Sequence, residues 1–581
     1  MKVRAFALLV VKCFLLGSAL GAASARAELR GSELRRDDPE MRVYLAENMP
    51  PMPKKPLPPT QEEIQMLTEV FENADVAEAE NVAFILGDWP GKLNADPLLR
   101  AIASQWPEVR AQAASSLAML EPLLEGQERQ RAVRQLMQLL ADGDREVVLS
   151  AIRAIGKLKA ADARDAIARY ASSDDPELTV AALRALGEIG DPASFEQIRK
   201  SLASANTDVV RVAIAATGGI GDPALAQHLL EKLSADSSAV RVAAIQGIVS
   251  LKARTHQDQL VALLEDPLGY IRREALKGFV ELGGAEHETI YLARTKDPDA
   301  TVRRVAAQAL GRFGLRSGID PLYALFADPH LYVRDDAVLS LVAMADEKAI
   351  ALAAQGLQSP KDTVRASSSQ TLGRLKNDRN LEAHIALLND PYVPARQWAA
   401  WALGEIGRKE ACRALNEHAF SDKEDLETKV CAMLSLGKLG FAEALPAFGK
   451  LAVAKELGRG LSDPLLSQRL ASVRSIGMLK NADSVGLLVG RVTDEDPFNS
   501  ESQEVKYEAA VALGRIGSAA AVTALDTYMK AGGTQKLRYG CRWALTRIQG
   551  RVPDYQIPPP LIAPDYFVNR LPPAKETPGR K

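Results

Sequence analysis

The sequence predicts an all-α solenoid built from stacked helical hairpins, and three observations carry that prediction. The first is a repeat: positions 156, 187, 218, 249, 280, 311, 342, 373 and 404 keep one register at 31-residue intervals. Looser copies at 87 and 118 before this block and at 437, 477, 514 and 546 after it bring the number of units to about fifteen. The second is a helical stripe in each unit: Val302, Ala306, Leu310 and Phe313 lie on one face, as do Ile271, Ala275, Phe279 and Leu282, and Val333, Ala337, Leu341 and Met344. The third is a shorter apolar-periodic segment between successive stripes, such as Ile319 to Phe326 or Leu381 to Leu388. Each unit is therefore a helical hairpin that buries its apolar face only by stacking on its neighbours.

Within the longer helix a small position recurs at Ala151, Ala182, Ala213, Ala244, Ala275, Ala306, Ala337, Ser368 and Ala399. Small side chains there imply close approach of a facing helix, because interiors pack to the density of organic crystals. Asp266-Pro267, Asp297-Pro298, Asp328-Pro329 and Asp390-Pro391 are expected to start the long helices, with aspartate as N-cap and proline in the first turn. Gly314 and Gly407 are expected to stop them.

The string DPDATVRRVAAQALGRFG at 297–314, and DPYVPARQWAAWALGEIG at 390–407, resembles the short HEAT-like repeats of the phycobilisome-lyase type, over roughly residues 64 to 550. The resemblance implies a right-handed alpha-alpha superhelix, a HEAT-like solenoid of about fifteen helical hairpins. It also implies a ladder in which the aspartate and arginine of successive units are hydrogen-bonded. The matching arginines are Arg241, Arg272, Arg303, Arg334, Arg365 and Arg396, read as structural because a planar fork joins acceptors on neighbouring units. Val148, Thr179 and Val210 occupy that column earlier, and the ladder is expected to fade there.

In chain order, residues 1–27 read as a secretory signal: Lys2 and Arg4, an apolar run, and Ala25-Arg26-Ala27 as the cleavage site. Lys12 interrupts the apolar run and argues against a stable membrane span, leaving a cleaved signal or a retained anchor. Residues 28–61 form a proline-rich extended arm, 62–550 the repeat solenoid, and 551–581 a proline-rich tail with Tyr555, Tyr566 and Phe567. The first hairpin, Ile64 to Trp89, is degenerate, as a cap would be. Wider spacings mark Ala454–Asp463 and Asp494–Glu504 as inserted loops. Removing residues 1–27 leaves 72 − 4 = 68 Lys+Arg against 74 Asp+Glu, a net charge of −6 that excludes a nucleic-acid binder's balance. Cys412, Cys431 and Cys541 are too few for a disulfide scaffold; a Cys412–Cys431 bridge and buried free thiols both remain open.

Enzymatic constellations are absent from the sequence. HEAT-like iron hydroxylases resemble a pattern of repeated His-Glu pairs, but only His287-Glu288 occurs, and His228, His256, His287, His330, His384 and His418 share no ligand spacing. There is no phosphate loop and no Gly-x-Ser-x-Gly elbow. We therefore expect no catalytic residues, no cofactor and no metal. The closest enzymatic rival is a ligand-binding or chaperone-like subunit of the bilin-lyase kind.

What remains is surface. On the resemblance, the Val-Arg helix lines the concave side, where Arg273, Lys277, Arg304, Gln308, Arg312, Gln370 and Arg374 are exposed, with Asp335, Asp336, Glu274 and Glu281 near enough to offset part of their charge. Trp401 falls on the exposed side of its helix and Trp398 at the edge. Clustered aromatics of this kind are binding hot spots. Candidate partner-binding residues are thus Trp398, Trp401, Arg273, Lys277, Arg304, Arg312 and Arg374. The expected function is an exported, periplasmic or secreted, scaffold that binds partner proteins, with envelope proteins as the expected partners and no nucleic acid. A pocket walled by Trp398, Trp401 and convergent polar groups would favour the ligand-binding rival.

Overall fold

The computed structural model describes residues 76–88, 95–454, 465–495, 501–531 and 534–551, together with Gln65 and Thr68. The signal segment, the proline-rich arm, most of the first hairpin's leading half, the core of both inserted loops and the tail beyond Arg551 lie outside the described residues.

The described residues form helices and contain no strand. Among the described residues sixteen helices run 13 or 14 residues; fifteen of them are the long helices of successive repeats, while Gly126–Leu139 stands among the otherwise shorter helices that alternate with these, and together they give an all-α solenoid. The chain divides into two compact units, residues 1–283 and 284–581. Seven long helices, from Val76–Asp88 to Gly269–Leu282, belong to the first unit; eight, from Ala300–Arg312 to Gln535–Ile548, belong to the second. No described helix is long and apolar enough to cross a membrane.

The recurrent small column, from Ala151 to Ala399, is wholly buried. Close approach between neighbouring long helices falls elsewhere, at the glycines of the repeat's reference position. A Cβ added to Gly156 would lie 2.7 Å from the Cα of Ala185, and one added to Gly311 2.7 Å from the Cα of Ser340. Equivalent approaches recur at Gly373 on Ala402, Gly404 on Ser435 and Gly514 on Ala544. At three such positions the opposing residue is a serine whose hydroxyl donates to a carbonyl of the preceding long helix: Ser340 Oγ to Ala307 O at 2.8 Å, Ser435 Oγ to Ala400 O at 2.7 Å, Ser475 Oγ to Met433 O at 2.9 Å. The long helices thus form the tighter row of each unit, while the short helices of neighbouring repeats barely meet.

The Asp-Pro pairs do not cap the helices in the expected way. Helix Ala300–Arg312 begins three residues after Asp297, and Asp299 is its N-cap. Asp297, Asp328 and Asp390 instead accept the backbone N–H two residues on, each at 2.9 Å, forming a turn that precedes the helix. Asp175-Pro176 does follow the expected scheme, with Asp175 capping Glu177 and Leu178. Gly407 takes a left-handed conformation at the end of its helix, as anticipated.

The arginine column is a ladder. In Arg303, Nη1 donates to the carbonyls of Asp297 and Pro298 at 2.8 and 3.1 Å, while Nε and Nη2 take Asp328, which opens the next repeat, at 2.6 and 2.9 Å. Arg365 repeats this with Ser359 O at 2.9 Å and Asp390 at 2.6 and 2.8 Å. Arg396 reaches Glu424 and Asp425 at 2.8 and 2.9 Å, and Arg241 reaches Asp266 at 3.1 Å. Arg272 and Arg334 bind the carbonyls of Asp266 and Asp328 at 2.8 and 2.7 Å. Two rungs were not anticipated: Arg110 takes Asp142 at 2.7 and 2.8 Å, and Arg469 takes Glu501 at 3.2 Å. In the early repeats the ladder weakens without vanishing. Thr179 Oγ1 donates to Ser173 O at 3.0 Å, the bond Arg303 makes to its own sixth-preceding carbonyl, and Arg145 supplies a more exposed pair with Asp175.

Candidate partner-binding face

The tryptophan pair sits on the long-helix row of the second unit. Helix Val393–Ile406 places Trp398 and Trp401 one turn apart, their rings edge to face with centroids 5.4 Å apart at 88°. Trp401 is not exposed as the helical wheel suggests; it is half-buried. Because residue 373 is glycine, the ring lies down on the preceding long helix, Cζ3 reaching 2.9 Å from where a Cβ would sit. The Arg374 guanidinium lies 5.6 Å from the centre of its ring. Trp543 repeats this placement over Gly514, with Arg547 at 5.3 Å.

A cavity of about 220 Å³ opens beside the pair, spanning four consecutive long helices; Arg334, Asp335, Gln370, Trp398, Trp401 and Glu427 are among its walls. Gln370 is 2% exposed, a correction to its expected place on the solvent face. Helix Asp362–Arg374 carries an unusually polar inward side, with Ser367, Ser368, Ser369, Gln370 and Thr371 all buried. Gln370 lies near enough to Asp335 to favour that carboxylate's charged form, yet its Nε2 makes no hydrogen bond. Burial pushes the Asp335 carboxyl up to about 6, with neighbouring Asp336 adding to the rise and Arg334 and Arg374 opposing it. Burial likewise pushes the Arg374 pKa down, and its Nε and Nη2 make no hydrogen bond.

Asp335 also borders a wider groove of about 670 Å³ lined by Arg304, Gln308, Arg312, Tyr332 and Asp336. Here the basic residues are locally neutralised or stacked. Arg304 pairs with Asp336 at 2.6 Å, Gln308 donates to the same carboxylate at 3.0 Å, and Arg304 and Arg312 lie over Tyr332 and Phe313 at 5.3 and 5.6 Å. Arg273 and Lys277 belong to the first unit, where both pair with Glu274, at 2.8 and 3.2 Å. The predicted basic residues therefore do not make one uncompensated anionic-ligand field.

Nothing in the described residues assembles a metal site: no group of three His, Cys, Asp or Glu side chains could hold an ion. His384 is fully buried, its Nδ1 3.0 Å from Ser369 Oγ, and burial pushes its pKa down to about 4, so it is a neutral core imidazole at pH 7. Cys412, Cys431 and Cys541 are buried and unbridged. Burial pushes the Cys541 thiol up to about 12, away from the reactive thiolate.

HEAT repeats are found by family comparison over residues 133–218, 288–373 and 381–459, and a PBS lyase HEAT-like repeat over 505–529. No curated protein matches in sequence. Solved structures similar to the chain include importin beta, at 13% identity over 83% of this chain and 72% of that one, with a TM-score of 0.45. Kap95p with RanGDP matches at 13% identity over 94% of this chain and 88% of that one, TM-score 0.48. Kap121p bound to Pho4p matches at 15% identity over 87% of this chain and 57% of that one, TM-score 0.48.

Proposed function

We propose that this chain is an exported, non-enzymatic HEAT-repeat scaffold that binds partner proteins on the long-helix face of its second unit, in the assembly or support of envelope complexes. The observation that carries the reading is the half-buried Trp398–Trp401 pair walling a cavity beside a longer groove on one continuous helix row. Rigid aromatics next to a concavity supply contact area at little entropic cost, and such residues dominate interface energetics. Export rests on the form of residues 1–27, and the envelope setting rests on export.

One observation also favours the rival: the cavity brings together the tryptophan walls and convergent polar groups that a small ligand would need. Affinity capture from the native envelope fraction after mild crosslinking separates the two. A consistent set of envelope proteins, reduced at least tenfold by Trp401→Ala with the fold intact, is the expected result. Recovery of a stoichiometric small ligand and no protein would replace the scaffold with a ligand-binding vessel.

A further inference from the structure

One position beyond the repeat's reference, a base meets an acid in three repeats: Lys157 pairs with Glu188 at 3.0 Å, Lys438 pairs with Glu405, and Arg374 faces Asp335 and Glu405. In the last two repeats that column holds Arg515 and Arg547, and neither lies within ion-pair distance of a carboxylate among the described residues. Burial pushes the Arg515 pKa down; Arg474 and Arg547, on the long helices to either side, push the same way, while Glu508 and Tyr507 oppose them. Arg515 Nη1 is buried and makes no hydrogen bond. Neither does the hydroxyl of Tyr507, which is 1% exposed and stands about two turns earlier on the same face of Gln503–Ile516.

Aromatic rings hold these groups in place. The Tyr507 ring lies on the last long helix, Gln535–Ile548, at Gly540, where a Cβ would stand 2.8 Å from Cδ2, and Lys536 Nζ is 5.0 Å from the ring centre. Trp543 rests on Gly514, directly before Arg515, and carries Arg547 at 5.3 Å. The carboxylate facing Tyr507 and Arg515 is that of Glu508, one acid among Arg474, Arg515, Arg547 and Lys536. Positive charge in excess of its acids, together with two buried donors that lack acceptors, specifies an anionic guest rich in oxygen acceptors.

We propose that this end of the long-helix row docks an acidic segment of a partner protein, with Arg474, Arg515 and Arg547 taking its carboxylates and the Tyr507 hydroxyl donating to one of them. The inference rests on the reading of the long-helix face as a protein-docking surface and adds to it a second, chemically distinct station. Spacing selects a chain over a small anion. The three arginines stand on consecutive long helices, Leu466–Leu479, Gln503–Ile516 and Gln535–Ile548, at steps of about 8–10 Å. Three residues of extended chain advance about 10 Å. Carboxylates on every third residue therefore meet one guanidinium fork each, whereas a lone phosphate cannot span three repeats.

The test is binding of a labelled synthetic peptide, Glu-Ser-Ser repeated four times, to full-length protein at low ionic strength, with the Gln-Ser-Ser counterpart as control. The acidic peptide binds at least tenfold more tightly than the control, and added salt narrows the difference. Arg515→Gln and Arg547→Gln each weaken binding on the order of tenfold, Arg515→Lys weakens it less, and Glu508→Gln tightens it. Tyr507→Phe separates docking from a purely structural role: losing a hydroxyl that has no partner leaves the melting temperature unchanged or raises it, while peptide affinity falls about threefold or more. Thermal melts of each variant verify folding, and Arg547→Gln, at an exposed position, carries the test should Arg515→Gln unfold. Equal binding of the two peptides, no binding of either, indifference to both Arg515 and Arg547, or complete displacement by inorganic phosphate at equal concentration would overturn the assignment, the last by making the guest a small anion. If the acidic peptide fails while capture of envelope proteins still depends on Trp401, this station falls and the tryptophan docking face stands.

Discussion

Removing Arg303 tests what the ladder contributes. Its side chain is 11% exposed and that of its partner Asp328 5%, so Arg303→Ala leaves a buried carboxylate without its cation and the carbonyls of Asp297 and Pro298 without their donor. Breaking a buried pair by deleting one partner costs on the order of 3–5 kcal/mol. Burial alone would push the Asp328 carboxyl up; the Arg303 fork and the His330 N–H outweigh it and hold it below the usual carboxylate range. In the natural protein this pair's stabilisation is therefore present above the unfolded carboxylate pKa and lost as pH falls through the lower folded one. Without Arg303 the sign reverses: Asp328 rises above its unfolded value, and the variant regains stability as pH falls toward 4. Because a stacked array need not unfold in one step, the readout is amide exchange in residues 300–344, where protection should drop about 100-fold or more at pH 7. The gap should narrow at pH 4, and Arg303→Lys should lie between. Unchanged protection, or a loss equal at both pH values, would refute the ladder as a stabilising device. A stable variant that has lost partner binding would reassign Arg303 to the interface.

Other variants probe separate features. Arg110→Ala removes a rung with the same bidentate geometry on Asp142 and should destabilise the first unit by about 3 kcal/mol, seen as lost exchange protection in residues 107–157. Gly311→Ala drives a methyl to within 2.7 Å of the Ser340 Cα and should cost about 1–3 kcal/mol in denaturation of the second unit. Asp335 has a folded pKa raised from 3.8 to about 6, so the natural protein loses stability as pH rises between those values. Asp335→Asn removes that loss and should raise the denaturation midpoint at pH 8 but not at pH 4, by at most about 3 kcal/mol at 1.36 kcal/mol per unit.

The repeat register, the helical hairpin and the identity of the ladder arginines were legible in the sequence because each is a local pattern iterated many times. Arg110 and Arg469 escaped because the spacing breaks after 118 and before 477, although both stand eight residues before their repeat's reference position, as Arg303 does before 311. The Asp-Pro capping expectation failed for a related reason. The aspartate side chain serves the arginine of the previous repeat, so its place is fixed by a partner some 25 residues away. The candidate site was half legible. The tryptophans could be found by type and spacing, but their orientation depends on Gly373 of the neighbouring helix, and a wheel drawn for one helix contains no such term. Gln370 was misplaced likewise, since the polar inward side of its helix departs from the apolar pattern around it.

The glycine contacts have a mechanical consequence. Along the long-helix row, backbone already meets backbone at van der Waals distance, while the short-helix row is loosely joined. Within each unit the spacing of the long-helix row is therefore at its lower limit, and a side chain larger than hydrogen at these glycines can only push neighbouring repeats apart. The pitch of the stack on that side is thus set by where the chain carries glycine, alanine and serine, so its gauge is written in its smallest residues.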